Sequence, residues 1–256
     1  MKFFAKLKQS CGNIFSKKTV QKAKRYGLTS NLILGLLILS VAFACLYPIN
    51  RNATVGALED KIIRKGVSAD GVSLTFNVYS DTESVYKILT TLEKHDAKAT
   101  FFIGGCWADD NVECLKKIVE KGHELGNHGY FHKDHSMLSQ AENVKEISLC
   151  SRFVEKATGQ EITLFAPPSG AYDENTLNAV ATLKMKTILW SRDTIDWRDK
   201  NPALVYTRAT KNISAGEFVL MHPTEHTASA LDDILNYYES CSLRAITVSE
   251  NLQDGG

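Results

Sequence analysis

Two histidines four residues apart, His128 and His132, stand in the run His128-Gly129-Tyr130-Phe131-His132, directly after His123-Glu124-Leu125-Gly126-Asn127. At that spacing two imidazoles can share one face, a donor pair suited to zinc or another borderline divalent metal. Gly126 and Gly129 place the pair in a turn after a strand, not in a helix interior. On spacing alone, ligation and a pair of solvated surface histidines both stay open. A third histidine, His222, ends the apolar run Phe218-Val219-Leu220-Met221 and precedes Pro223. Ligands gather at the C-terminal ends of strands in α/β folds, which makes His222 a candidate acid or base; a satisfied core histidine would read the same. The segment Trp190-Ser191-Arg192-Asp193-Thr194-Ile195-Asp196-Trp197 adds aromatics and carboxylates at another strand end. Aromatic faces there suit a sugar ring, and core tryptophans would give the same string.

Such side chains need a scaffold, and the periodicity supplies one. Val72-Ser73-Leu74-Thr75-Phe76 alternates like a strand. Val85, Ile88, Leu89 and Leu92 then fall at i, i+3, i+4 and i+7, the spacing of an amphipathic helix. Ala97 to Ile103 is rich in β-formers, and Val112, Leu115, Ile118 and Val119 mark another helix. Further helices are expected at 139–157, 174–183, 201–212 and 227–239. Short apolar runs at 163–166, 187–190, 217–221 and 245–248 lie between and after them. Strands alternating with helices imply an α/β fold with a parallel sheet or barrel.

The N-terminal quarter is different. Lys2, Lys6, Lys8, Lys17, Lys18, Lys22, Lys24 and Arg25 precede any acidic residue, and Tyr26 to Asn50 carries no charge. Thr29 to Tyr47 is long enough to span a bilayer, for which ~20 apolar residues are needed. The basic flank predicts a cytoplasmic N-terminus and an exported remainder. This gives 1–28 as a basic cytoplasmic segment, 29–49 as a transmembrane signal anchor, 50–70 as a polar stalk and 71–256 as one domain. The rival is a cleaved signal peptide with Ala42-Phe43-Ala44 as its site, which also exports the rest. Export permits disulfides, with Cys106–Cys114 and, less favoured, Cys150–Cys241 as pairings and four free cysteines as the other reading; none of the six cysteines has zinc-ribbon spacing. A net charge of +1 with no basic face beyond the N-terminus excludes a nucleic-acid binder on charge grounds.

In this order the pieces resemble the polysaccharide deacetylase (NodB-homology) family over roughly 71–252. The strings that carry the likeness are Ala99-Thr100-Phe101-Phe102-Ile103-Gly104-Gly105, Gly122-His123-Glu124-Leu125-Gly126-Asn127-His128 and Leu220-Met221-His222-Pro223. The resemblance implies a partial or distorted (β/α) barrel. It also implies metal-dependent hydrolysis of N-acetyl groups on polysaccharide such as peptidoglycan or a chitin-like glycan. His128 and His132 would hold the metal, zinc first, with cobalt or manganese as alternatives. His222 would be the general acid with Asp196 tuning it, and Pro167, Tyr172 and Trp197 would line the sugar site.

Two departures from the family pattern fall in one functional unit. The family's Asp-Asp pair after the first strand, a general base and a third ligand, reads Asn77-Val78 here. The arginine that pairs with the catalytic aspartate is replaced by Ala166. An amide can hold a water but cannot take its proton, and valine offers no ligand atom. Losing carboxylate and arginine together is coherent, because an arginine facing a neutral amide would be a buried unpaired charge. Replacement carboxylates would be Asp81 or Glu83, although Ser80-Asp81-Thr82-Glu83 also reads as the cap of the next helix. The expected function is therefore a membrane-anchored, extracytoplasmic N-deacetylase of cell-wall polysaccharide. The alternative is a weak or silent deacetylase-like module that binds glycan.

Overall fold

The structure, a computed structural model, describes residues 30–42 and 61–253. The chain divides into two units, Met1–Val55 and Gly56–Gly256. The described part of the first is helix α1 over residues 30–42, which contains no charged residue. Its apolar side chains are exposed on all sides, Leu32 and Leu39 by 64% and 66%. Among the described residues no helix is long and apolar enough to cross a membrane. The rest of the expected span, Thr29 and 43–47, lies outside the described residues, as does the basic segment 1–28.

The second unit is built on parallel strands in the order β1-β6-β5-β4-β3-β2-β8-β7. They are β1 (Ile62–Ile63), β2 (Gly71–Val78), β3 (Thr100–Ile103), β4 (Glu124–Asn127), β5 (Leu164–Phe165), β6 (Lys186–Ile188), β7 (Arg192–Asp193) and β8 (Phe218–Met221). β9 (Arg244–Ala245) pairs with the start of β2. No pairing joins β1 to β7 among the described residues, so the sheet is an incomplete barrel, the fold class expected. β2 is buried at every position, as a strand between two parallel neighbours with both faces covered must be.

The helices that follow are α2 (Thr82–Lys94), α3 (Gly105–Asp110), α4 (Val112–Glu120), α5 (Gln140–Thr158), α6 (Glu174–Thr182), α7 (Asp196–Asp199), α8 (Pro202–Thr210), α9 (Glu225–Ser240) and α10 (Val248–Asn251). The i, i+3, i+4, i+7 stripe of α2 is wholly buried. It packs into a core that includes the stacked rings of Phe76 and Phe101, 5.0 Å apart. Because the strands run parallel, the C-terminal ends of β2, β4, β7 and β8 meet at one edge, and the candidate site lies there.

Three expectations need correction. β1 lies within the 50–70 stretch read as a stalk, yet it pairs with β6, so the folded unit begins before Gly71. The run 245–248 is not a strand beyond Ala245, because Thr247 caps the backbone N–H of Glu250 and opens α10. Neither disulfide forms: Cys106, Cys114, Cys150 and Cys241 are all free. Cys114 points into the core from α4 while Cys106 is exposed on α3, and the Cys150 thiol donates to the Ile103 carbonyl at 3.2 Å.

Candidate active site

His128 follows the last residue of β4 and is 1% exposed. Its Nδ1 lies 2.7 Å from the Ala166 carbonyl, an acceptor only, so Nδ1 carries the proton and Nε2 the lone pair. That Nε2 is buried with no hydrogen-bond partner. Burial, reinforced by His132, lowers the His128 pKa to about 3 and keeps the ring neutral. The chain turns at Gly129, φ 73°, where a Cβ would stand 2.8 Å from His135 Nε2. His132 then adopts a left-handed φ of 52°, a conformation costing about 1–3 kcal/mol in a non-glycine residue. This turn brings the two rings to 5.1 Å, edge to face. Burial lowers the His132 pKa as well.

His222 follows β8 and meets Asp196, the first residue of α7 and 1% exposed. Asp196 Oδ1 accepts from His222 Nδ1 at 2.8 Å and from the Trp197 backbone N–H at 2.8 Å. Oδ2 accepts from the His222 backbone N–H at 2.6 Å and from the Thr227 hydroxyl at 2.7 Å. Four donors thus hold a buried carboxylate, and His222 Nε2 is left for the cleft. Asn77, on β2, is buried with its Oδ1 unpartnered.

These groups line one cleft of about 260 Å³, together with Tyr79, Ser169, Trp190, Asp193 and Trp197. A larger groove of about 590 Å³ lies between α8 and α9, but it contains no histidine. His128, His132, His222 and Asn77 line this cleft together, Asp196 stands behind His222, and Trp197 is a 54% exposed aromatic wall.

Other candidates do not reach the cleft. Asp81 caps α2, accepting from the backbone N–H and hydroxyl of Ser84, and Glu83 is exposed and paired with Lys87. Asp81 is the cap of α2, Glu83 takes no part in it, and neither lines the cleft. Pro167 is buried beneath the turn that presents Ser169, and Tyr172 packs with Ile62, Leu177 and Leu189. Ala166 is enclosed with Phe102, Leu164 and Ile188, an apolar setting with no place prepared for a guanidinium. Val78 likewise faces the core.

Sequence reasoning missed Ser169 and Tyr79, the latter following Asn77-Val78 at the end of β2. Its only signal was position. Burial, with the Asp196 charge nearby, raises its phenol pKa, so it stays protonated and cannot serve as a base. The donors fit a divalent metal in part. The Nε2 of a buried, neutral His128 has no hydrogen-bond partner and is a ligand atom, yet no group of three metal-ligating side chains exists among the described residues. A seat with two protein donors is weaker than the three or four that zinc sites use.

The polysaccharide deacetylase family model matches residues 64–188. YlxY of Bacillus subtilis, an uncharacterized protein, is 36% identical over 72% of this chain and 57% of its own length. This chain therefore spans little more than half of that relative. A CE4 family pseudoenzyme from Bacillus anthracis is 36% identical and superimposes with a TM-score of 0.73, over 75% of this chain and 69% of that one. A mutant of the same pseudoenzyme, with restored enzymatic activity, superimposes equally well. The peptidoglycan-N-acetylglucosamine deacetylase of Bacillus cereus is 29% identical over 71% of this chain and 68% of its own length.

Proposed function

Since the chain belongs to the polysaccharide deacetylase family, we propose that its cleft binds N-acetylated cell-wall glycan, with peptidoglycan as the substrate class, and hydrolyses its N-acetyl groups only weakly. The observation that carries this reading is Asn77, a neutral amide with an unpartnered oxygen where the reaction needs a proton acceptor.

A divalent metal, zinc by its donor set, would be held by His128 and His132 and would supply Lewis-acid polarisation of the acetamide carbonyl. The remaining work belongs to the chain's own residues. In its doubly protonated form His222, held through Nδ1 by Asp196, presents Nε2–H to the departing amine and protonates it, while the proton of the attacking water leaves to solvent. Asn77 orients a water without accepting its proton. General-base assistance is worth ~10²–10⁴-fold, and that factor is what the site lacks. Trp197 offers its exposed face to a sugar ring.

A purely binding role is a second reading, favoured by the likeness to a pseudoenzyme and by the missing third donor. The uncharged helix α1 with its exposed leucines supports anchoring of residues 29–49 in a membrane, and the basic residues of 1–28 support an orientation with 71–256 outside the cytoplasm. Titrating chitotetraose into the full-length protein while following tryptophan fluorescence tests the binding role. Saturable binding weakened at least fivefold by Trp197→Ala is expected; no binding by the folded wild type rejects the glycan assignment.

A further inference from the structure

His132 reaches the cleft from a left-handed backbone, φ 52°, which a residue with a Cβ keeps only where its surroundings over-determine it. Those surroundings can be traced outward from the ring. Upstream, the backbone N–H groups of Gly105 and Cys106, at the start of α3, donate to the carbonyls of Gly129 and Tyr130 at 3.0 and 2.9 Å. Next to His132 the partner changes. The backbone N–H of Phe131 donates to Glu146 Oε2 at 3.0 Å, and Lys133 Nζ lies 2.8 Å from Glu146 Oε1. Each carboxylate oxygen thus takes one neighbour of His132. Lys133 Nζ also lies 5.4 Å from the centre of the Phe131 ring, so the two neighbours meet each other as well as Glu146.

Glu146 lies in α5 and is 5% exposed. A carboxylate at that depth costs free energy unless it is paired and hydrogen-bonded, and packing alone would be served better by an apolar side chain. Burial by itself would raise its pKa; the Lys133 ammonium and the Phe131 N–H outweigh burial and lower it, so the group is ionised and only accepts. One turn earlier on α5, Asn143 secures the loop farther along. Its Nδ2 donates to the carbonyls of His135 and Leu138 at 3.1 and 3.2 Å. α5 therefore fixes the loop at two levels, and the level beside His132 belongs to Glu146. Two imidazoles that share one zinc must each approach it to about 2.1 Å, so freedom at 131–133 weakens binding.

We propose that Glu146 is a positioning residue for His132: by holding the residues on either side, its carboxylate keeps the His132 ring in the cleft beside His128, where the pair serves the metal. The service to the metal rests on the proposed function; the brace itself does not. Accepting the Phe131 N–H is the essential contact, and the Lys133 pair supports it.

The test uses full-length protein in detergent as wild type, Glu146→Met and Glu146→Gln. Methionine keeps the length of the side chain without an acceptor, and glutamine keeps an acceptor for the Phe131 N–H. The Lys133 side chain is 50% exposed, so losing its partner strands no buried charge. Zinc affinity is measured by competition with a chromophoric chelator. Carbethoxylation of each histidine by diethylpyrocarbonate is followed by peptide mass spectrometry. Glu146→Met is expected to bind zinc at least tenfold more weakly and to react at His132 at least fivefold faster, with His222 within twofold of wild type. Glu146→Gln should stay within threefold of wild type in both measurements. An unchanged His132 rate in Glu146→Met overturns the brace, as does a matching rise at His222 or a Glu146→Gln protein as reactive as Glu146→Met. Zinc affinity of Glu146→Met within twofold of wild type overturns the service to the metal. A wild type that binds no zinc rejects the metal reading of the proposed function, and the carbethoxylation rates then judge the brace by themselves.

Discussion

Asp196 grips His222 twice, accepting its backbone N–H on one carboxylate oxygen and its Nδ1 on the other, at 2.6 and 2.8 Å. The grip fixes both the ring's position and its tautomer, because a carboxylate there can only accept. Asp196→Asn puts an amide nitrogen among donors. We expect a loss of about 2–4 kcal/mol in urea denaturation. Nitrogen chemical shifts of His222 should show that Nδ1–H is no longer the dominant tautomer. Unchanged stability with an unchanged tautomer would mean that the dyad is not what holds the ring.

The losses of acid and base partners at 77 and 166 should be coupled. Asn77 pairs with Phe102 across β2 and β3, and Phe102 packs against Ala166, so this ring links the two positions. Ala166→Arg alone buries an unpaired cation and should cost about 3–5 kcal/mol. Adding Asn77→Asp should return at least about 1 kcal/mol of that. A double-mutant cycle in denaturant measures the term, and additivity of the two changes would show that the positions are independent. Asn77→Asp by itself should not raise acetate release.

Acid should weaken the fold through its buried histidines. His123 is 2% exposed, both ring nitrogens lack partners, and burial, helped by Lys98 and Lys121, lowers its pKa from 6.5 to about 4. Between pH 6.5 and 4 the unfolded chain then binds a proton that the folded chain refuses. Stability is therefore full above pH 6.5 and falls as pH drops through that window, by up to about 1.4 kcal/mol per pH unit for this group. His128, with its pKa at about 3, acts with the same sign. His123→Leu should reduce the loss between pH 7 and 5 by about 2 kcal/mol. Parallel pH profiles for variant and wild type would rule His123 out as a contributor.

How far the sequence could be read depended on whether a signal was periodic or spatial. The stripe of Val85, Ile88, Leu89 and Leu92 required a helix with one buried face, and α2 has it. The run 217–221 was strand-like and became β8, which delivers His222 to the cleft. Two-residue strands such as β1 and β7 are too short to show alternation, so the sequence around β1 reads as a polar stalk. Val248 was apolar enough for a strand, yet the Thr247 cap directed it into α10. Asp81 and Glu83 stand as carboxylates at the right distance in sequence, yet Asp81 caps α2 and Glu83 pairs with Lys87 on its surface. Tyr79 left no pattern, because it joins the cleft only when β2, β4 and β8 end at one edge.

Membrane orientation can be read from the cysteines. If 1–28 is cytoplasmic and 71–256 is outside, a membrane-impermeant maleimide applied to intact cells should label exposed Cys241 and Cys106 and spare Cys11. Labelling of Cys11 before lysis, or protection of Cys241 until lysis, would reverse the orientation.

As proposed, the cleft retains the acid half of the deacetylase reaction without its base. Acetate release from N-acetylated peptidoglycan by the full-length protein, with zinc and with a chelator, tests it most directly when the Bacillus cereus deacetylase is run alongside. Zinc-dependent release is expected at least ~10²-fold slower than the reference and abolished by His222→Ala. Release at the reference rate, or release that survives His222→Ala, would contradict it.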